Sequence, residues 1–437
     1  MFYYIRLQFM RKLLLLVTLF IAGSFPFTLQ AQNTWVNKAP YGGGLRDEAS
    51  GFAIGSKGYI FSGNDTGTYY MDMWSWNSIS NVWAPAAAFP GGKRLGTESV
   101  SLNGFGYAIC GEHPSNCFLT SGRMGGGVCA GTFYNDVWKY EPLSDTWVND
   151  TAFPGGSRDF GVAVADPDDS TIYYGTGNNN GATFLSDWWA FYTPTHTWTQ
   201  MANFPGGPRA FAVGFFANGK IYVGTGDDDD SINYASNDFW QYTPSSNTWV
   251  RVADVPGMPL RSASSFSIGN FGYVCLGLNN SSYSSAGWRY NTLTNNWRPI
   301  ANYGGGTMSD GVAFAIDSNG YVGTGYSGDS TYSQFWEYTF DSSATLGVPA
   351  LIVKTPTASL YPNPANDKVT VNFSGINNLP ATFTLMDILG NTVNSYVINN
   401  ATGQATFNVS RLSSGIYLYQ VTDSGKLLKT GKLIITR

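Results

Sequence analysis

Histidine is almost missing from this chain: 437 residues contain two, His113 and His196. So few imidazoles leave little room for histidine-ligated metal chemistry or for histidine acid/base work. Charge is scarce as well. Charged residues are 12% of the chain and the net charge is −5, which excludes a nucleic-acid binder held by phosphate contacts. There is no Ser/His/Asp arrangement for hydrolysis and no glycine-rich phosphate loop opening a helix. The Gly-Gly-Gly runs at 42–44, 125–127 and 304–306 read as turns. After Gly23 no apolar run is long enough to span a bilayer.

The apolar run that does occur, Leu13 to Gly23, is eleven residues long and follows Arg6, Arg11 and Lys12. It is too short to span and has the layout of a secretory signal, so residues 1–31 are expected to be removed near Ala31, leaving no transmembrane helix. Four cysteines would then stand in an oxidising compartment. Cys117 and Cys129 flank a glycine-rich insertion and are the candidate disulfide; Cys110 and Cys275 read as buried thiols.

Aromatics make up 16% of the chain and glycine 52 residues, a composition that suits short strands and tight turns. A repeat organises them. Tryptophans nine residues apart recur as Trp74/Trp83, Trp138/Trp147, Trp189/Trp198, Trp240/Trp249 and Trp288/Trp297. A period near fifty marks a supersecondary unit that buries its apolar face only by stacking on its neighbours. Each unit reads as four strands: an alternating run such as Phe211–Phe216, a Gly turn, an IYVGTG-type strand, a variable loop, a DFWQYT-type strand, and an outer strand opening at the second Trp.

The IYVGTG glycines, the paired tryptophans and the Arg before each first strand resemble the kelch-repeat β-propeller family. The resemblance covers 33–340 and implies an all-β, six-bladed propeller. A sixth third-strand, at Trp336, has Thr345 where its partner Trp is due, while Trp35 stands alone at the start. The segment around Trp35 is therefore expected to supply the last blade's outer strand and to close the ring.

Residues 341–357 read as a linker and 358–437 as a small β-sandwich. Its Tyr361-Pro362-Asn363-Pro364, Asp387 with Leu389-Gly390, Leu412 to Tyr417, and Lys432 to Ile435 resemble the C-terminal sorting domain of the type IX secretion system of Bacteroidota. That resemblance implies handling by the type IX machinery and a destination at the cell surface or outside the cell.

Binding is expected on the face that carries the long loops. Arg46, Arg94, Arg158 and Arg209 lie eleven residues after an outer-strand Trp, Arg261 twelve, and Met308 breaks the series. Arginine forks onto carboxylates, so this ring would hold an acidic ligand or, alternatively, bond acids and carbonyls of neighbouring blades. Asp227, Asp228, Asp229 and Asp230 are weak calcium candidates. The resulting expectation is a non-enzymatic exported binding module for a glycan or protein, with no cofactor. The alternative is a carbohydrate-active enzyme of the sialic-acid epimerase or copper-free galactose-oxidase-like type, with Glu48, Glu98 or Glu112 as base.

Overall fold

The computed structural model describes residues 33–117, 129–179, 183–228, 235–279, 282–328, 330–340, 357–374, 381–398, 404–423 and 426–437. The expected signal segment 1–31 lies outside them. Between Thr34 and Thr339 the chain forms six four-stranded antiparallel sheets, whose innermost strands neighbour one another in a closed cycle. In the fourth sheet the strands are Val213–Ala217, Lys220–Gly224, Phe239–Thr243 and Thr248–Val252, in spatial order. In the sixth, Thr34–Asn37 is the outer strand, antiparallel to Phe335–Thr339 with Trp35 opposite Tyr338. Trp35 thus takes the outer-strand tryptophan position of the sheet that contains Trp336.

Two periodic devices fasten sheet to sheet. The outer-strand indoles donate across the seam to a main-chain carbonyl of the preceding sheet: Trp83 to Ala39, Trp147 to Ala87, Trp249 to Ala202, Trp297 to Ala253 and Trp35 to Ala301, at 2.7–3.1 Å. The exception is Trp198, whose Nε1 has no partner among the described residues. In the second sheet the outer strand carries a bulge opposite Val137/Trp138, which spoils the repeat at that seam.

The second device is steric. First-strand residues Phe52, Phe215, Phe266 and Phe314 project toward Gly106, Gly272, Gly320 and Gly58 of the next sheet, where an added Cβ would stand 1.9–2.2 Å from a ring carbon. The equivalent first-strand residues in the second and third sheets are valines, Val100 and Val164, and the residues facing them are isoleucines, Ile172 and Ile221. All six seams are therefore filled, four by ring against glycine and two by valine against isoleucine, as close packing demands.

The C-terminal segment has a three-stranded sheet (Thr357–Tyr361, Lys368–Ser374, Gln404–Asn408) and a four-stranded one (Ala381–Met386, Thr392–Ile398, Gly415–Asp423, Lys426–Ile435). Val369, Val371, Phe383, Leu385, Phe407, Val421 and Leu433 form its core. Its motif residues are structural. Asn363 donates to the Lys432 carbonyl and accepts from the Ile434 amide, stitching the last strand in place. The Asp387 carboxylate caps the turn by accepting from the Leu389 and Asn391 amides, and Gly390 takes the positive φ of 85° that the turn needs.

Candidate functional site

In each sheet of the propeller, the segment entering the first strand bridges the loop that leaves the second: Asp47 with Asn64, Leu95 with Glu112, Asp159 with Asn178, Ala210 with Asp227, Arg261 with Leu278 and Ser309 with Tyr326. The residue after each bridge is left-handed. These are Glu48, Gly96, Phe160, Phe211, Ser262 and Asp310, with φ between 47° and 59°. Such a conformation costs a non-glycine residue on the order of 1 kcal/mol or more. It is held by a necklace of main-chain bonds, in which the amides of Phe160, Phe211, Ser262, Asp310 and Glu48 each donate to the left-handed residue one sheet back, at 3.0–3.2 Å. These residues rim a central bore of about 190 Å³.

The rim is divided in character. Phe160 and Phe211 stack at 4.1 Å, and the Phe160 ring lies over Gly96. Across the bore stand Glu48 and Asp310, with Glu98 further down the wall. Burial pushes the Glu98 carboxyl up to about 8, and Asp47 is pushed up to about 7 by burial and then by Asp310. Glu48, Asp310, Glu112 and Asp159 are raised as well, each by burial first. Tyr69 and His113 lie 5.5 Å apart and Tyr283 and Tyr326 6.1 Å apart. The charges of Glu48 and Glu112 reach Tyr69, and that of Asp310 reaches Tyr283. Short hairpins rise from these loops at Asn64–Asp65/Thr68–Tyr69, Glu112–Cys117/Cys129–Phe133, Asn178–Asn179/Thr183–Phe184 and Tyr326–Ser327/Ser330–Thr331.

Arg46, Arg94, Arg158 and Arg209 are buried behind this rim and line none of the bore. Each forks onto an aspartate of its own sheet (Asp72, Asp136, Asp187 and Asp238) with the shorter bond at 2.6–2.7 Å. Each also donates to the carbonyl closing its second strand (Ser62, Cys110, Thr176, Thr225) and to a glycine carbonyl three residues back. The same aspartates accept from Trp74, Trp138, Trp189 and Trp240. The partners are thus within the sheet, not on its neighbour.

Arg261 differs. By register it matches Asp47 and Asp159, and Leu260 occupies the position of the ring arginines, so the series breaks twice: at Leu260 and at Met308. Where the arginine is missing the aspartate is missing too. Ala286 and Gln334 stand there, and Gln334 reaches the Met308 sulfur at 3.4 Å. Arg261 instead crosses to the previous sheet and pairs with Asp227 at 3.1 Å. The first carboxylate of the aspartate run is therefore buried in a seam. Asp228 is half-buried, and Asp229 and Asp230 lie outside the described residues.

Cys117 and Cys129 are directly opposite in a hairpin, and their side chains lie outside the described residues. Cys110 and Cys275 are buried free thiols, pushed up to about 12 by burial. His113 is on the loop face, whereas His196 pairs with Asp150 in a turn of the opposite face. Sequence reasoning singled out Glu48, Glu98 and Glu112 but missed Asp47, Asp159, Phe160, Phe211 and Asp310. Their signal was position: one or two residues after each ring arginine, or its replacement, in every repeat.

Residues 359–436 match the family described as secretion system C-terminal sorting domain. The chain carries a type IX sorting domain. It is thus an exported protein of the Bacteroidota kind, secreted or attached at the cell surface. The propeller is similar to the solved structure of YjhT, with a TM-score of 0.56 at 15% identity, covering 69% of this chain and 97% of that one; the likeness shows a kelch-like fold. N-acetylneuraminate epimerases of Shigella sonnei (strain Ss046) and Escherichia coli (strain K12) are each 31% identical over 119 residues, 27% of this chain and 32% of theirs. The chain therefore spans about a third of the length of these curated relatives.

Proposed function

We propose that this protein is an exported, non-catalytic glycan-binding module, with the propeller at 33–340 as the binding unit and 358–437 as the part recognised during export. The observation that carries the reading is the loop face. Two pairs of aromatic rings (Tyr69 with His113, Tyr283 with Tyr326) stand on the loops beside a mouth that is lined on one side by carboxyl groups, and hairpins rise around it. Rings stack on the apolar faces of sugars while carboxyl and amide groups hold their hydroxyls. The partial likeness to enzymes named for a sugar acid agrees with a glycan ligand. The test is a glycan array probed with the purified chain and with Tyr69→Ala/His113→Ala. Binding by the native chain that drops tenfold or more in the variant supports the reading; no glycan bound by the native chain overturns it.

A second reading, a carbohydrate-active enzyme, is favoured by one observation. Glu98 and Asp47, pushed up to about 8 and 7, ionise near neutral pH, where a general acid or base works best. Epimer or anomer conversion of N-acetylneuraminate followed by NMR, abolished in Glu98→Gln, would establish it.

A further inference from the structure

The bore has features that a glycan rim does not require. Its mouth is apolar on one side, where Phe160 and Phe211 stack at 4.1 Å, and acidic on the other, where Glu48 and Asp310 follow each other in the necklace. Below them Glu98, a half-buried residue of the first strand of the second sheet, lines the wall, and its carboxyl has no hydrogen-bond or ion-pair partner among the described residues. The arginines that could neutralise these carboxyls are engaged elsewhere, four on their own aspartates and Arg261 on Asp227. Carboxyl groups crowded on the wall of a narrow bore without a cation beside them are costly to ionise, and a ligand that brings a positive charge relieves that cost. Aromatic rings lining the same bore favour an organic cation over a hydrated metal ion, because the ring quadrupole attracts an alkylated ammonium that sheds water easily.

We propose that the bore is a binding site for an organic ammonium group, with Glu98, Glu48 and Asp310 supplying negative charge and Phe160 and Phe211 an aromatic wall. The site is independent of the glycan reading and stands if no glycan binds. Its ligand is an alkylammonium, either of a free amine or of a lysine side chain on a partner.

Linkage gives the site a signature. Burial raises the carboxyls of the bore, Glu98 up to about 8 and Glu48 and Asp310 in the same direction, so a cation that favours their ionised forms displaces protons as it binds. Glu98 shares the bore lining with Glu48 and Asp310, and its charge reaches Tyr174 of the third sheet; Asp47, Asp310, Glu112 and Asp159 act on Glu48, and Arg261 acts on Asp310. Binding of a cation whose own charge does not titrate therefore strengthens as pH rises from about 5 to 9.

The experiment is calorimetric titration of the full chain with tetramethylammonium chloride, in two buffers of different ionisation enthalpy, against neopentyl alcohol, an uncharged molecule of similar shape. The expected result is net proton release, at least tenfold tighter binding at the alkaline end, and at least tenfold loss in Glu98→Gln. Phe211→Leu should lose severalfold while keeping the pH trend, which separates wall from charge. Equal binding of cation and alcohol, pH-independent affinity, or native-like binding by a folded Glu98→Gln chain would overturn the proposal. So would the absence of heat at every pH from a protein whose circular dichroism is native. Butylammonium and a lysine-containing peptide, titrated in parallel, separate a free amine from a partner's side chain, and an acetyl-lysine peptide should bind at least tenfold more weakly than its parent.

Discussion

Phe215 and Gly272 offer a direct test of how the sheets interlock. A Cβ added at Gly272 would stand 1.9 Å from Cζ of Phe215, so Gly272→Ile must displace the ring and should cost about 3 kcal/mol by overpacking. Phe215→Val alone removes a ring that also stacks on Tyr222 at 5.2 Å, leaving a cavity worth about 2–3 kcal/mol. The two changes together recreate the Val164/Ile221 seam that this chain already uses one sheet earlier. The double variant should therefore lie within about 1.5 kcal/mol of the native protein. The coupling between the two sites, roughly 3.5–6 kcal/mol, is then far above the few tenths expected of independent positions. At about 2–4 °C per kcal/mol, each single variant should melt roughly 5–12 °C low and the double within a few degrees of native. Thermal unfolding followed by near-ultraviolet circular dichroism reads all four proteins. A double variant as unstable as the sum of its parts would refute the complementarity argument.

Arg209→Ala should lower stability by about 3–5 kcal/mol, because it leaves Asp238 half of a buried pair; adding Asp238→Asn should recover part of that loss in urea unfolding. Glu98→Gln should leave stability unchanged near pH 4 and raise it near pH 9. The native carboxyl, raised from 4.5 to about 8, favours the protonated fold, and stability falls as pH climbs through that window; about 5 kcal/mol is the upper figure, read from melting curves across pH. A non-reducing digest of the exported protein should yield Cys117 and Cys129 in one linked peptide, since their register places them face to face. His196→Asn should stabilise the chain by a few tenths to 1 kcal/mol in urea unfolding, since Asn247 and Asn295 use a side-chain oxygen at that turn to accept an amide across the seam.

Much of the propeller was legible because its repeat is carried by residues at fixed spacing: the two tryptophans, the glycines after the second strand, and Trp35 set apart to close the ring. The sorting domain was legible because its motif residues sit at turns and at the last strand, where side-chain chemistry is dictated locally. The role of the arginines was harder to read. Asp72, Asp136, Asp187 and Asp238 follow them by 26–42 residues across a loop of variable length, so spacing hid the pair. A sign was still present. Aspartate stands two residues before the first tryptophan in the four repeats that have the arginine, and alanine or glutamine in the two that lack it. The bore was least legible, because Glu48, Phe160, Phe211 and Asp310 share a backbone conformation and not a residue type.

The seam between Thr34–Asn37 and Phe335–Thr339 makes the order of synthesis matter. The first strand produced cannot find its partner until some three hundred further residues exist. Joining such distant ends costs on the order of 5 kcal/mol of chain entropy before any contact there repays it. A chain cut short before Phe335 would keep five complete sheets yet leave Thr34–Asn37 unpaired and the edge of Asn319–Gly323 bare, each able to recruit a strand from another copy. The integrity of the whole ring therefore depends on the stretch just ahead of the sorting domain, so a nascent chain that has not reached its export tag has barely had the chance to close.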